Sequence, residues 1–181
     1  LTISSFAAEF YDVVGFDHSE RVVNQLNIGK SHIEGVDSSL LLKQIARGSF
    51  RATTRASDIA DADIVVIAVP TPLNKDRKPD LAFIESACKT IAENIDRPVL
   101  VINESTSYPG TLREIVITEI EKVNKSEFLY ASAPERIDPA NSKWNIKNTP
   151  RILAGINAQS TTAAMEFYKS ICDDVTAVSS P

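Results

Sequence analysis

The segment VVGFDHSER, Val13 to Arg21, decides how this chain is read. A short apolar run passes through Gly15 and Phe16 and is followed at once by an aspartate. Ser19 and Glu20 then open a helical pattern, with Val22, Val23 and Leu26 on one face and Gly29 as its stop. A buried strand handing its carboxyl end to a helix is half of a crossover unit, and the pattern repeats outward from it. Upstream, LTISSFAAEF reads as helical, with Leu1, Phe6 and Phe10 set among small residues. Downstream, DSSLLLKQIARG is a helix begun by Asp37 or Ser38 as N-cap and closed by Gly48. FRATT is a short strand. DIVVIAVP is the clearest buried strand, since Ile64 to Val69 is wholly apolar, as a strand covered on both faces should be. DLAFIESACKTIAENI (helix), PVLVINES (strand), GTLREIVITEIEKV (helix) and EFLYASAPE (strand and exit) continue the series. RILAG (strand), NAQSTTAAMEFYKSIC (helix) and DVTAVS (strand) complete it.

Strands alternating with helices at spacings of about 30 residues imply right-handed crossovers and a parallel sheet. The expected fold is therefore α/β, a Rossmann-like doubly wound parallel sheet with helices on both faces, in one domain over residues 1–181. The composition agrees: 43% hydrophobic and 24% charged residues in a chain of 181 suit one globular domain. A net charge of -5 leaves no basic surplus for nucleic acid. No apolar stretch approaches the ~20 residues of a membrane span. Cys88 and Cys172 make no disulfide framework and suit a reducing cytoplasm. With only His18 and His32 and no Cys/His cluster, no structural metal site is expected.

In open α/β sheets, ligands bind beyond the carboxyl ends of the strands. Asp17 stands at such an end. An acid there accepts hydrogen bonds from the ribose hydroxyls of a dinucleotide and repels a 2′-phosphate, favouring NAD over NADP. Arg21 lies one turn later, near where the adenine would be. The alternative is that Asp17 or His18 caps the helix and Arg21 pairs with a neighbour. In VPTPLNKDRKPD the strand runs into Pro70-Thr71-Pro72 and must stop, because proline lacks the amide donor. Val69, Pro70 and Thr71 then border the cofactor, or simply form a rigid turn. NESTSYPGT sets Glu104, Ser105 and Thr106 at the next exit, as ligands or as capping groups. In SAPERIDPANSKWNIKNTP, Glu135 is a candidate general base toward water and Arg136 a candidate anion ligand. An internal Glu–Arg pair or a solvated loop is the alternative. Both cysteines fall on apolar helix faces and read as core.

Together these stretches resemble the amino-terminal domain of the UDP-glucose/GDP-mannose dehydrogenase family, the nucleotide-sugar 6-dehydrogenases. The markers occur in order through nearly the whole chain: GFDHSERV, GKSHIEGV, FRATT, ADIVVIAVPTPLNKDRKPDL, ESTSYPGT and APERIDPANSKWNIKNTPRILAG. VPTPLNKDRKPDL and PERIDP are the specific ones, and PTPLNKDRKPD and WNIKNTPR look closest to branches that oxidise UDP-N-acetylhexosamines. The resemblance implies an NAD-dependent four-electron oxidation of a UDP-sugar C6 alcohol, of UDP-glucose or a UDP-N-acetylhexosamine, to the uronate. It implies that Asp17 binds the adenosine ribose and that Thr71 and Thr106 contact the cofactor. It further implies that Glu135 helps activate water for thioester hydrolysis, and that Arg136 and Ile137 border the nucleotide sugar. A homodimer or larger homo-oligomer is expected of the full-length protein.

The sequence also departs from the family pattern. The first strand and the Gly-x-Gly-x-x-Gly loop are absent, and Leu1 resembles the residue just past that loop. The family's catalytic lysine and cysteine belong to a middle helical region and a second α/β domain, beyond Pro181. The expectation is a fragment of a longer chain that supplies the cofactor domain and does not complete the reaction alone. Two other readings stay open: an NAD-dependent dehydrogenase of the 6-phosphogluconate or 3-hydroxyacid type, and a non-catalytic nucleotide-binding module.

Overall fold

The alternation is realised as seven strands and six α-helices among the described residues, 1–33, 38–136 and 144–181 of a computed structural model. In chain order they are α1 (Thr2–Ala7), β1 (Val13–Phe16), α2 (Glu20–Asn27), α3 (Ser38–Ala46), β2 (Phe50–Thr53) and β3 (Ile64–Ile67). Then come α4 (Ala82–Asn94), β4 (Leu100–Asn103), α5 (Thr118–Val123), β5 (Leu129–Ser132), β6 (Arg151–Gly155), α6 (Ala158–Ile171) and β7 (Val175–Ala177). A π-helical stretch, Leu112–Ile117, leads into α5, and the Thr118 hydroxyl donates to the Arg113 carbonyl five residues back, as the wider turn allows. The first helix is shorter than its pattern suggests: Phe10 lies past its end and is exposed. Ser19 caps α2 by accepting the Val22 amide. Of the two caps expected for α3, Ser38 is the first helical residue and Asp37 lies outside the described residues.

β1 and β2 pair in parallel, as do β3, β4 and β5, and β6 with β7. The expected parallel sheet is thus present, and β6 departs from it by running antiparallel to β5. The described part of the connection between them contains turns and no crossover helix, so the chain re-enters the sheet from the edge it left. β1 and β3 are not paired with one another, so the strands form a two-stranded and a five-stranded sheet. This leaves one side of β3 without a neighbouring strand among the described residues. Both faces are covered, as expected, with Ile64 and Val66 on one cluster and Val65 on the other, but the open edge leaves these three residues half-buried. The strand buried throughout is β4.

Alternation along β4 builds the two layers. Leu100 and Ile102 face α1 and α6 with Ile3, Leu153, Phe167 and Tyr168, while Val101 faces α4 and α5 with Ile84, Cys88, Val116 and Ile120. A third cluster, Val22, Leu26, Leu41 and Phe50, packs α2 and α3 on β2. Truncating a wholly buried leucine such as Leu41 to alanine costs about 2–5 kcal/mol. Both cysteines are buried and free, as expected. The Asn27 side chain donates to the Ala52 carbonyl (2.9 Å) and accepts from the Ala52 amide (2.8 Å), on the side of β2 away from β1. Among the described residues no helix is long and apolar enough to cross a membrane, and no His/Cys/Asp/Glu group is arranged to hold a metal.

Candidate functional site

Parallel register sets Ile67, Asn103 and Ser132, the last residues of β3, β4 and β5, side by side. The three exits predicted to carry chemistry are therefore neighbours, and backbone hydrogen bonds join them. The amides of Glu104 and Ser105 both donate to the Ile67 carbonyl, at 2.9 and 3.2 Å. The Ser105 hydroxyl accepts from the Val69 amide at 2.9 Å. Thr71, held between two prolines, donates its hydroxyl to the Thr106 carbonyl at 2.6 Å. On the other side, the Ala133 amide donates to the Asn103 carbonyl (3.0 Å), and the Glu135 amide to the Glu104 carbonyl (3.4 Å). The result is one continuous rim.

The candidate side chains, on this rim and beyond β1, divide into two groups. Asp17 lies just past β1 and is half-buried. Its Oδ1 accepts the Ser19 amide at 2.8 Å, while Oδ2 makes no hydrogen bond among the described residues. Capping of α2 thus falls to Ser19, leaving one Asp17 oxygen for a ligand. Arg21 and Pro70 are exposed, Val69 is half-buried, and the Thr106 side chain is exposed on the rim. Arg136 is exposed, and Ile137 lies outside the described residues. Glu135 is half-buried and shares a small concavity with Pro134, Arg136, Thr149, Pro150 and Arg151. A larger concavity, about 720 Å³, lies at the opposite, amino edge of the strands between Asp63, Leu100, Leu129 and Phe167. It contains none of these residues.

Glu104 and Ser105 differ from expectation. Both were candidate cofactor ligands; both side chains turn inward. Besides accepting from Val69, the Ser105 hydroxyl donates to the Ile67 carbonyl at 3.4 Å. Glu104 Oε1 accepts from Arg151 Nη1 at 2.6 Å and from the Tyr168 hydroxyl at 2.9 Å. The guanidinium carbon of Arg151 lies 4.7 Å from the centre of the Tyr168 ring, a stacked cation–π contact. Glu104 is 4% and Arg151 5% exposed. Burial pushes the Glu104 carboxyl up, and the Arg151 charge and the Tyr168 hydrogen bond pull against it. Burial, then Glu104, keeps the Tyr168 phenol protonated and a donor. Arg151 and Tyr168 were not among the residues singled out from sequence. A local signal existed in RILAG: Arg151 and Leu153 are buried around an exposed Ile152, so strand alternation carries the charge inward.

A half-buried carboxylate beyond one strand, and threonines at neighbouring exits, stand at the carboxyl edge where open α/β sheets bind ligands. These features define a dinucleotide-binding domain of the Rossmann class. The chain belongs to the UDP-glucose/GDP-mannose dehydrogenase family, whose NAD binding domain matches residues 1–172. A UDP-N-acetyl-D-mannosamine dehydrogenase of Pyrococcus horikoshii is 34% identical over 173 residues, covering 93% of this chain and 41% of that protein. The enzyme of that name from Escherichia coli K12 is 31% identical over 179 residues, covering 93% and 42%. The solved structure of the Pyrococcus horikoshii UDP-D-ManNAc dehydrogenase superposes with a TM-score of 0.87 at 31% identity, covering 98% of this chain and 43% of that one. The chain thus spans about two fifths of the length of the relatives it matches.

Proposed function

We propose that this chain is the cofactor domain of an enzyme that oxidises the C6 alcohol of a UDP-sugar, UDP-glucose or a UDP-N-acetylhexosamine, to the uronate in a four-electron reaction. The observation that carries the reading is the joined rim. In a chain of this family, Thr71, Thr106 and Glu135 stand at three adjacent strand exits tied by hydrogen bonds. NAD, when bound, would supply the hydride acceptor that each of the two oxidations at C6 requires. Asp17 accepts hydrogen bonds from the adenosine ribose hydroxyls, and its charge opposes a 2′-phosphate. Thr71 and Thr106, with Val69 and Pro70, border the cofactor further along the edge. Arg136 and Ile137 border the nucleotide sugar.

Hydrolysis of a C6 thioester, held on a cysteine supplied by the rest of the protein, completes the reaction. Glu135 takes a proton from the attacking water; the new C–O bond forms as C–S breaks and sulfur leaves as thiolate. The full-length protein works as a homo-oligomer.

The test is stoichiometric. Full-length protein is incubated with NAD and each of UDP-glucose, UDP-N-acetylglucosamine, UDP-N-acetylmannosamine and UDP-N-acetylgalactosamine. The expected result is about two NADH per molecule of the preferred sugar. One NADH, or none with any of them, overturns the reading. Glu135→Gln is expected to stall uronate release with the sugar covalently held, detected by intact-mass spectrometry. Normal steady-state uronate formation removes Glu135 from the assigned role.

A further inference from the structure

We propose that Arg151 is a positioning residue for Glu135: braced by Glu104 and Tyr168, it holds the Ala133 carbonyl and so fixes the backbone that carries Glu135. This rests on the reading of Glu135 given above. One nitrogen, Nη1, donates both to Glu104 Oε1 at 2.6 Å and to the Ala133 carbonyl at 3.0 Å. Tyr168 completes the brace, with its ring against the guanidinium and its hydroxyl on the same Glu104 oxygen.

The segment from Ala133 to Glu135 has little slack. Ala133 is held at its amide by Asn103 and at its carbonyl by Arg151. Pro134 fixes its own φ. The Glu135 amide is tied to the carbonyl of Glu104, the residue whose side chain anchors Arg151. Two strand exits therefore meet on one guanidinium, which enters from β6 because that strand is antiparallel and begins at this edge.

A buried ion pair is a poor way to gain stability alone, because desolvation consumes most of its attraction. What apolar side chains cannot supply is a rigid donor reaching a strand-exit carbonyl. Arg151 also lines the concavity that holds Glu135, so the brace and the carboxylate it positions border the same space. Lysine keeps the charge but not the planar group that stacks on Tyr168 while donating in two directions.

The experiment compares full-length wild type, Arg151→Lys, Glu135→Gln and the double variant, using the preferred UDP-sugar and NAD. For Arg151→Lys the expected result is a kcat lowered about tenfold while kcat/KM for the UDP-sugar and for NAD stays within about twofold, because the slowed step follows both oxidations. A pre-steady-state burst of about two NADH per subunit is expected, because both oxidations precede the slowed hydrolysis. In the Glu135→Gln background, Arg151→Lys is expected to slow turnover no further. A merely structural role lowers the active fraction and produces no burst. An unchanged kcat, a slowing without a burst, a raised KM for NAD or additive effects in the double variant each overturn the positioning role while leaving the stoichiometric reading intact. If Arg151→Lys does not fold, Tyr168→Phe takes its place with the same readouts, and loss of folding in both marks the cluster as structural and overturns the proposal. A wild type giving one NADH or none removes the reading of Glu135, and the positioning role with it.

Discussion

Thr71 donates its hydroxyl hydrogen to the Thr106 carbonyl across 2.6 Å and so fastens the exit of β3 to that of β4. Thr71→Val removes the donor at nearly constant volume. The expected cost is about 0.5–1.5 kcal/mol in stability, read by thermal or urea denaturation. Since the same bond sets the rim proposed to border the cofactor, KM for NAD in the full-length protein is expected to rise severalfold. Lost stability with an unchanged KM assigns Thr71 to the turn alone.

Asp17 has one oxygen engaged by Ser19 and one unengaged. Asp17→Ala in the full-length protein is expected to weaken NAD about tenfold, the worth of one charge-assisted hydrogen bond, and to narrow the preference over NADP. Calorimetric titration with both cofactors tests this. Equal affinities for wild type and variant rule out the ribose contact.

Asp58 provides a pH handle on the turn after β2. A hydrogen bond from Thr53, then Arg51 at 2.8 Å and Arg55 at 3.0 Å, holds its carboxyl down at about 2. The folded value lies below the unfolded value of about 3.9, so the stabilisation is complete above pH ~4 and lost as pH falls through about 2. Both arginines are solvent-exposed, so the effect is small. Urea midpoints between pH 5 and pH 2 are expected to fall more steeply for wild type than for Asp58→Asn. Parallel slopes refute the assignment.

Much of this organisation was readable from local patterns. The apolar run Ile64–Val69, broken by Pro70, marks both a strand and its end. The prolines around Thr71 and Glu135 mark two of the exits that became the rim. The inward turn of Glu104 was not readable, because its partner Arg151 lies 47 residues later in the chain and no local rule pairs them. The reversal of β6 was hidden for a related reason. An apolar strand looks the same in either direction, and its sense depends on how the preceding connection travels.

Cys88 is wholly buried against α5, and burial, reinforced by Glu119 and Glu85, pushes its thiol up to about 12. Cys172 is shifted upward, chiefly by burial as well. Iodoacetamide at pH 8 is expected to leave both unlabelled in the native protein and to label both in denaturant, as mapped by peptide mass spectrometry. Native labelling at either site would place that thiol at the surface.

Gly155 ends β6 where α6 begins. A Cβ there would lie 2.3 Å from the Thr161 nitrogen and 2.6 Å from the Ser160 carbonyl carbon, and backbone cannot yield cheaply. Gly155→Ala is expected to cost about 1–3 kcal/mol or more, read as a lowered urea midpoint with an unchanged slope. An unaltered midpoint would mean that α6 slides freely on the sheet.

The side-chain amide of Asn27 meets both the amide and the carbonyl of Ala52 on the outer side of β2. Those are the two groups with which an outermost strand recruits a stranger. With both occupied from within, a passing extended peptide finds no matching rung at that point of the rim strand. One residue at the end of α2 thereby guards the outer edge of β2 against growing, strand by strand, into an aggregate.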